Sequence, residues 1–422
     1  MSFQEKFFTR IFRGEMVIWI ILLFFFLISI IEVYSSSSYL VYKDNLDYWQ
    51  PFKGHVIYYV IGWGIVLISH VINPKFFKLF VVLLPISWIL LILLRFPKLD
   101  LGFMSVVTIN DAARWIRLFG IQFQPSELAK LGLIVTMALL LSKKNDNNEK
   151  RIFWWMIGLS LVTCGLIVQE SGSTASLLFF VILLMLLVGQ VMKKYLYPAL
   201  IICGVGGAIF ITALFMIPEN SLNKSVLPLG AYWQKKIKTF YGMDINDPNF
   251  KITDDNRQNI NLQIAIASGG RQFPLGKLPG NSVHHDSLTF SYSDTMFARI
   301  VEELGLVGGL FVLFLYIILF VRTGIIADRS ETPFSRYLVL GSSFLILAYA
   351  LTHICVSVGL IPITGQPLPL ISMGGTSIMT TCLYIGMILS VSRHETKKGI
   401  EQEENIEEQF QMEKLEENEE ET

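Results

Sequence analysis

Long apolar runs separated by shorter polar segments recur along this chain. A transmembrane helix needs about 20 mainly apolar residues, and repeated runs near this length are typical of a protein that crosses a bilayer many times. The ten predicted spans are residues 16–31, 55–72, 77–94, 127–141, 152–168, 174–191, 195–217, 304–321, 337–360 and 376–391. The pattern therefore predicts an all-α polytopic membrane protein with about ten transmembrane helices.

The polar segments divide the chain into three predicted parts. Residues 1–15 precede the first span, residues 16–393 form the membrane domain, and residues 394–422 form an acidic tail without an apolar stripe. A Glu-rich sequence of this kind cannot bury a core, so we expect the tail to be disordered. The longest polar segment, residues 218–298, lies between the seventh and eighth spans and is predicted to be a large extracytoplasmic loop.

Lysine and arginine residues concentrate in alternate short loops, on the side of the membrane that also holds the N-terminus. Lys143 and Lys144 follow the fourth span, and Arg329 and Arg336 lie between the eighth and ninth spans. Short loops rich in Lys and Arg face the cytoplasm, whereas long loops are translocated regardless of their charge. We therefore expect both termini in the cytoplasm and residues 218–298 outside.

The overall composition is that of a membrane protein and excludes an ordinary soluble one. The 422 residues are 53% hydrophobic and 16% charged, with a mean hydropathy of +0.53. The formal net charge is zero, so the total charge gives no information on nucleic-acid binding. From the apolar runs we expect membrane lipid, and no nucleic acid, around the protein. All four cysteines fall within apolar runs, which favours packed thiols over disulfides.

Polar residues with catalytic potential occur at the outer ends of the spans. In residues 109–130 a Pro-Ser pair predicts a helix start, which places Glu127 and Lys130 one turn apart on the same face. These two side chains and Arg114, which lies beside a tryptophan, are candidate site residues. A local ion pair at a helix N-terminus also explains Glu127 and Lys130, and an interfacial anchor also explains Arg114.

A second stretch, residues 280–309, places Asp294 just before a strongly apolar run. Arg299, Glu302 and Glu303 follow at helical spacing. Ionisable groups at the mouth of a membrane helix are costly to bury, so they indicate a site when they face inward. Asp294 is therefore a candidate catalytic acid, and a helix-capping acid with a solvated charge network is the alternative interpretation.

The long loop carries two further patterns. Residues 233–242 mix lysines with aromatic residues, as an interfacial segment facing lipid headgroups does. Residues 265–280 are rich in glycine, which allows the backbone to approach a ligand closely. Both patterns also occur in ordinary loops, so neither is assigned to the site.

Three segments resemble motifs of the SEDS family (FtsW, RodA and SpoVE). They are SYSDTMFARIVEELG at residues 291–305, WIRLFGIQFQPSELAKL at residues 115–131 and GLIPITGQPLPLISMGGTS at residues 359–377. The segments are long and occur in the family's order, and the resemblance covers residues 16–393. The sequences of these segments resemble the FtsW branch of the family more than RodA, in particular FtsW of Bacteroidetes-type bacteria.

The resemblance implies a peptidoglycan glycosyltransferase that polymerises lipid II in the bacterial inner membrane, at the division septum. It implies a class B penicillin-binding protein transpeptidase and other divisome proteins as partners. Asp294 then corresponds to the essential acid and general base, with Arg114, Glu127 and Lys130 as substrate-binding residues of the same cavity. The candidate cofactor is a divalent cation, Mg²⁺ or Mn²⁺, with Asp294 and Glu127 as its candidate ligands.

The chain also departs from the family's pattern at three places. Ser171 stands at the position of an acid, His353 at that of an Asn, and Arg271 follows a double glycine where the family has other residues. No role is predicted for these three. Two other functions stay open, a flippase for the lipid-linked precursor and a non-catalytic scaffold, but the polar groups concentrate at span ends rather than along a path through the bilayer.

Overall fold

The computed structural model describes residues 12–44, 49–96, 100, 102–109, 112–191, 212, 228–241, 252–271, 276–278 and 293–395. Eleven α-helices lie in these residues, and a 3₁₀ helix at Pro74–Val82 leads directly into α3. The helices are α1 Met16–Asp44, α2 Trp49–Val71, α3 Leu83–Leu93, α4 Pro125–Ser142, α5 Glu149–Ile167, α6 Gly172–Val188, α7 Pro228–Tyr241, α8 Asp254–Arg271, α9 Met296–Arg329, α10 Pro333–Ser357 and α11 Gly375–Glu395.

Eight helical segments in the described residues are long and apolar enough to cross a membrane, and the shorter α6 is apolar as well. These nine segments correspond to nine of the ten predicted spans. The predicted span at residues 195–217 lies almost entirely outside the described residues, as do residues 1–11, most of the predicted acidic tail, and residues 279–292 before Asp294. The polytopic helical membrane fold is confirmed.

One part of the chain is not helical, which the sequence analysis did not predict. Between α3 and α4, β1 (Met104–Ile109), β2 (Ala112–Leu118) and β3 (Ile121–Phe123) form an antiparallel sheet in the order β1-β2-β3. Gly120 turns the chain between β2 and β3 with a φ of 84°, a conformation that favours glycine. The sheet places Arg114 on a paired strand rather than in an open loop.

Helix α9 is broken near its start. The predicted eighth span began at residue 304, whereas the helix begins at Met296 and contains a non-helical residue, Gly305, with φ 72°. The carbonyls of Glu302 and Glu303 are instead hydrogen-bonded by the backbone N–H groups of Lys277 and Leu278, at 3.1 and 2.8 Å. The polar first turns of α9 are therefore supported separately from its membrane part.

The glycine-rich end of α8 packs on this supported segment. A Cβ at Gly269 would lie 1.9 Å from the Val301 carbonyl oxygen, so only glycine allows the two helices to come this close. Gly276 likewise lies against Gly305, where a Cβ would be 2.3 Å from the backbone nitrogen. The close approach considered for residues 265–280 is thus made, at these two glycines, to α9.

Candidate active site

Several elements bring polar residues to the same end of the helical bundle. Helices α4, α6 and α9 begin there, which places Glu127 in the first turn of α4 and Asp294 just before α9. Helix α10 ends at the same side, and the segment between α10 and α11 carries Gln366 across it. Residues separated by more than two hundred positions in sequence therefore surround a common space.

Two cavities meet at Asp294. They have volumes of about 380 and 330 Å³, and both are lined by Arg114, Asp294 and Gly365. Gly365 has a φ of 66°, and a Cβ there would lie 3.6 Å from Oδ2 of Asp294. Asp294 and Arg114 thus lie where a molecule in one cavity would contact a molecule in the other.

The larger cavity is cationic. Besides Arg114, it is lined by Lys235 and Lys236 of α7, with one acid, Asp294, on its wall. The lysines of residues 233–242, interpreted from the sequence as facing lipid headgroups, therefore include two that face this cavity. Its remaining lining residues are Thr239, Gln258, Asn259, Pro362, Ile363 and Thr364.

The smaller cavity is lined mainly by neutral hydrogen-bonding groups. The acidic residues that line the smaller cavity are Asp294 and Glu127. The other lining residues supply mainly hydroxyls, amides and a few apolar surfaces. Such groups suit a ligand that carries several hydroxyl and amide groups. The other lining residues are Trp115, Gln124, Ser171, Thr174, Ser293, Gln366, Pro367, Met373, Gly374, Thr376 and Ser377.

The surroundings of Asp294 combine partial burial with one side-chain hydrogen bond. Its side chain is half-buried, and the Ser293 hydroxyl donates to Oδ1 at 2.9 Å. Burial raises the pKa of the carboxyl above its ordinary value, and the Ser293 hydrogen bond and the charges of Arg114 and Lys236 offset part of this rise. A carboxylate with a raised pKa accepts a proton more readily than an exposed one does.

Glu127 lines the smaller cavity and Lys130 supports it from behind. Lys130 Nζ donates to Glu127 Oε1 at 2.7 Å, and the Thr380 hydroxyl donates to Oε2 at 2.8 Å. Lys130 also lies over the Tyr349 ring, 4.4 Å from its centroid, and is absent from the described lining of both cavities. The structure therefore brings Arg114, Glu127 and Asp294 to the cavities and places Lys130 beneath Glu127.

The two candidate cation ligands, Asp294 and Glu127, line the same cavity. Each oxygen of Glu127 already accepts a hydrogen bond, from Lys130 or from Thr380. Within the described part of the chain, no three His, Cys, Asp or Glu side chains gather as a metal-ligand set. The assignment of Asp294 and Glu127 as cation ligands stays a prediction.

Glu170 is a further buried acid that the sequence analysis missed. Its Oε1 accepts hydrogen bonds from the Gln124 amide and, at 2.9 Å, from the Ser126 hydroxyl. Burial raises the pKa of Glu170 to about 7, and the nearby Glu127 adds to the rise. Glu170 thus holds the segment that enters α4. The sequence signal for Glu170 is its position beside Ser171, in a segment that differs from the family's sequence motif.

Gln366 and His353 were also not predicted. The Gln366 amide nitrogen lies 3.0 Å from Thr174 Oγ1 and 3.3 Å from Ser171 Oγ, which caps α6. Its backbone carbonyl is bonded to His353 Nδ1 at 2.7 Å. Two of the three positions without a predicted role, Ser171 and His353, therefore contact the same residue of the cavity wall.

The charged residues after Asp294 serve a structural purpose. Arg299 and Glu303 form an ion pair of 2.8 Å in which both side chains are fully buried, and the Ser35 hydroxyl donates to Glu303 at 2.7 Å. Lys277 pairs with the buried Glu302 at 3.1 Å. The interpretation of these residues as a solvated charge network is wrong, because Arg299, Glu302 and Glu303 are fully buried. The Ser35 bond joins α9 to α1, and the Lys277 pair joins α9 to the segment before it.

Comparison with known proteins decides the family. A model of the FtsW/RodA/SpoVE cell cycle protein family matches residues 15–397. The chain belongs to this family. It is 27% identical over 406 residues to a protein of Enterococcus hirae named probable peptidoglycan glycosyltransferase FtsW, which covers 93% of this chain and 96% of that one. The narrower likeness to Bacteroidetes-type sequences stays a prediction.

Solved structures of this family share the fold. Thermus thermophilus RodA, called a rod shape determining protein, matches with a TM-score of 0.60 at 19% identity over 90% of this chain and 97% of that one. A chain from a peptidoglycan synthase complex, described as coordinating polymerization and crosslinking, matches with a TM-score of 0.67 at 20% identity over 90% and 98% of the two chains. The membrane architecture of this multi-pass protein is thus that of its family.

Proposed function

We propose that this protein is a peptidoglycan glycosyltransferase that polymerises lipid II, with Asp294 as its general base. The observation that carries the proposal is the position of Asp294 between a cationic cavity and a cavity lined by hydroxyl and amide groups. Joining two lipid-linked sugars requires two such spaces with a base between them. The name of the Enterococcus hirae relative supports this reaction.

The chemistry needs one base. The acceptor sugar hydroxyl attacks the anomeric carbon of the donor, and its proton passes to the Asp294 carboxylate. The bond between the anomeric carbon and the diphosphate oxygen breaks, and the lipid diphosphate leaves with the electron pair, so the anomeric carbon is inverted. Diphosphate is a good leaving group once its charge is balanced, so no second carboxylic acid is needed to protonate it, in contrast to glycosidases. A general base typically contributes about 10²–10⁴-fold.

The cationic cavity suits the departing diphosphate. Arg114, Lys235 and Lys236 line one space beside Asp294, and positive charges that face a leaving phosphate stabilise the charge that develops on it. Arginine adds a planar set of donors that matches phosphate oxygens. In this proposal Lys130 acts through Glu127, which lines the neighbouring cavity, instead of contacting the diphosphate itself.

The proposal includes the cellular setting. The site lies at the end of the bundle opposite to the basic residues Lys143, Lys144, Arg329 and Arg336, which by the positive-inside rule face the cytoplasm. The active site is then extracytoplasmic in a bacterial inner membrane, both termini are cytoplasmic, and the division septum is the place of action. A class B penicillin-binding protein and other divisome proteins are the partners, and the solved synthase complex supports the first of these.

The decisive test compares Asp294→Asn with Asp328→Asn. Asp328 lies near the end of α9 remote from the cavities, with a side chain 77% exposed, so it is a matched control for loss of one carboxylate. Purified proteins are incubated with lipid II, with and without a partner transpeptidase, and glycan polymer is measured. We expect Asp294→Asn to lose at least about 100-fold in rate and Asp328→Asn to match wild type. Normal polymer from Asp294→Asn removes the base assignment, and no polymer from wild type under either condition favours a flippase or scaffold.

A further inference from the structure

His353 joins the two sides of the active site through its two ring nitrogens. Nε2 lies 3.2 Å from the backbone nitrogen of Phe297, and Nδ1 lies 2.7 Å from the carbonyl oxygen of Gln366. A backbone N–H only donates and a carbonyl only accepts, so Nε2 is the acceptor and Nδ1 carries the proton. Both bonds are buried, and His353 as a whole residue is 1% exposed.

The two hydrogen-bond partners of His353, Phe297 and Gln366, belong to two parts of the site whose separation matters for the reaction. Phe297 is three residues after Asp294, in the first turn of α9, where backbone N–H groups have no partner within the helix. Gln366 lines the smaller cavity, and its amide is held by Thr174 and Ser171 of α6. His353 on α10 therefore lies between the turn that carries the base and the wall that contacts the sugar.

We propose that His353 is a positioning residue that sets the distance between Asp294 and the Gln366 wall. The proposal rests on the proposed function, because it assigns the His353–Phe297 bond to the chemical step and the His353–Gln366 bond to substrate binding. Loss of the Phe297 bond frees the turn that aims the carboxylate, which lowers kcat. Loss of the Gln366 bond loosens a wall that contacts substrate before and during the reaction, which raises KM.

Two conservative variants separate the contacts. In His353→Asn the amide group lies at the position of Nδ1, so it donates to the Gln366 carbonyl but does not reach Phe297. In His353→Gln the amide oxygen lies at the position of Nε2, so it accepts from Phe297 but leaves the Gln366 carbonyl without its donor. His353→Leu keeps the approximate volume and neither hydrogen bond, and it serves as the reference for loss of both.

The experiment measures steady-state polymerisation of lipid II together with hydrogen exchange of the Phe297 amide in the full-length protein. We expect His353→Asn to lower kcat about tenfold with KM within about twofold of wild type, and His353→Gln to raise KM with kcat nearly unchanged. Exchange at Phe297 is expected to rise about tenfold in His353→Asn and His353→Leu and to stay at the wild-type rate in His353→Gln.

The readouts keep the two proposals apart. If His353→Asn and His353→Gln change kcat and KM in the same way, or if exchange at Phe297 is unchanged in His353→Asn, the positioning role is wrong. Hydrogen exchange at the Phe297 amide can be measured without enzyme activity. It therefore tests the positioning role even if Asp294→Asn polymerises normally and the proposed function fails. A general loss of folding would raise exchange throughout α9 and α10 in every variant, and that result also contradicts a role specific to these two bonds.

Discussion

The contact between Lys130 and Glu127 gives a prediction that separates two roles for the lysine. The pair is 2.7 Å long, and the two side chains are 6% and 9% exposed. At an effective dielectric constant of about 20, two unit charges at this distance attract by roughly 6 kcal/mol, and most of that offsets the cost of removing both from water. Removing one partner leaves the other charge buried alone, which costs about 3–5 kcal/mol.

We therefore expect Lys130→Met to lower the free energy of unfolding by about 3–5 kcal/mol, because Met retains most of the stem and leaves Glu127 unpaired. The double variant Glu127→Gln with Lys130→Met carries no unpaired charge. It should recover much of the loss, with a coupling energy of roughly 3 kcal/mol in the double-mutant cycle. The free energies are measured by SDS titration in mixed micelles, and lipid II polymerisation is measured on the same samples.

The alternative role, direct contact of Lys130 with the lipid diphosphate, predicts a different result. In that case Lys130→Met would keep nearly wild-type stability and lose turnover, and Glu127→Gln would not compensate for it. Arg322→Met serves as the control, because its pair with Glu15 is longer, 3.3 Å, and its side chain is 41% exposed. A half-exposed pair of this kind contributes about 0–1 kcal/mol. Equal losses of unfolding free energy in Lys130→Met and Arg322→Met would contradict the prediction.

Two further predictions concern α8 and the entry to α4. Gly269→Ala places a Cβ 1.9 Å from the Val301 carbonyl and should destabilise the fold by about 1–3 kcal/mol, whereas the neighbouring Gly270→Ala meets nothing within 4 Å and should be neutral or stabilising by thermal unfolding. The folded state holds a proton on Glu170 up to pH about 7 and the unfolded state only to its ordinary pKa of 4.5, so stability falls as pH rises between these values. Relative to Glu170→Gln, the wild type should lose about 3 kcal/mol over that window; an unchanged difference would contradict the pKa assignment.

Features fixed by neighbouring residues could be predicted from the sequence. Proline followed by serine, and then Glu127 and Lys130 one turn apart, indicates a helix start with a local pair, and α4 begins at Pro125 with that pair formed. Apolar runs likewise locate membrane helices, because backbone groups in lipid have to be bonded within the segment. These features depend on spacing of three or four residues, which is visible in the chain itself.

Features that depend on distant contacts could not be predicted. The bond from Phe297 to His353 joins residues 56 positions apart, and the wall residue Gln366 meets Thr174 across 192 positions. The small sheet at residues 104–123 was missed because its strands are short and follow a membrane span, where apolar residues carry little information on strand pairing. The cationic cavity was missed because the lysines of α7 are as typical of a lipid-facing helix as of a binding site.

The break in α9 at Gly305 affects how a change in tilt of the membrane helix would displace the Asp294 carboxylate. Asp294 lies eleven residues before Gly305, or about 16 Å along a helix, so a rigid rod tilted by about 10° in the bilayer would swing the carboxylate by roughly 3 Å. Catalytic groups tolerate displacements of only about 0.5 Å. Because the upper turns are tied to α8 and to residues 276–278 and the helix is interrupted at Gly305, we expect changes of tilt or lipid thickness below Gly305 to leave the position of the Asp294 carboxylate undisturbed.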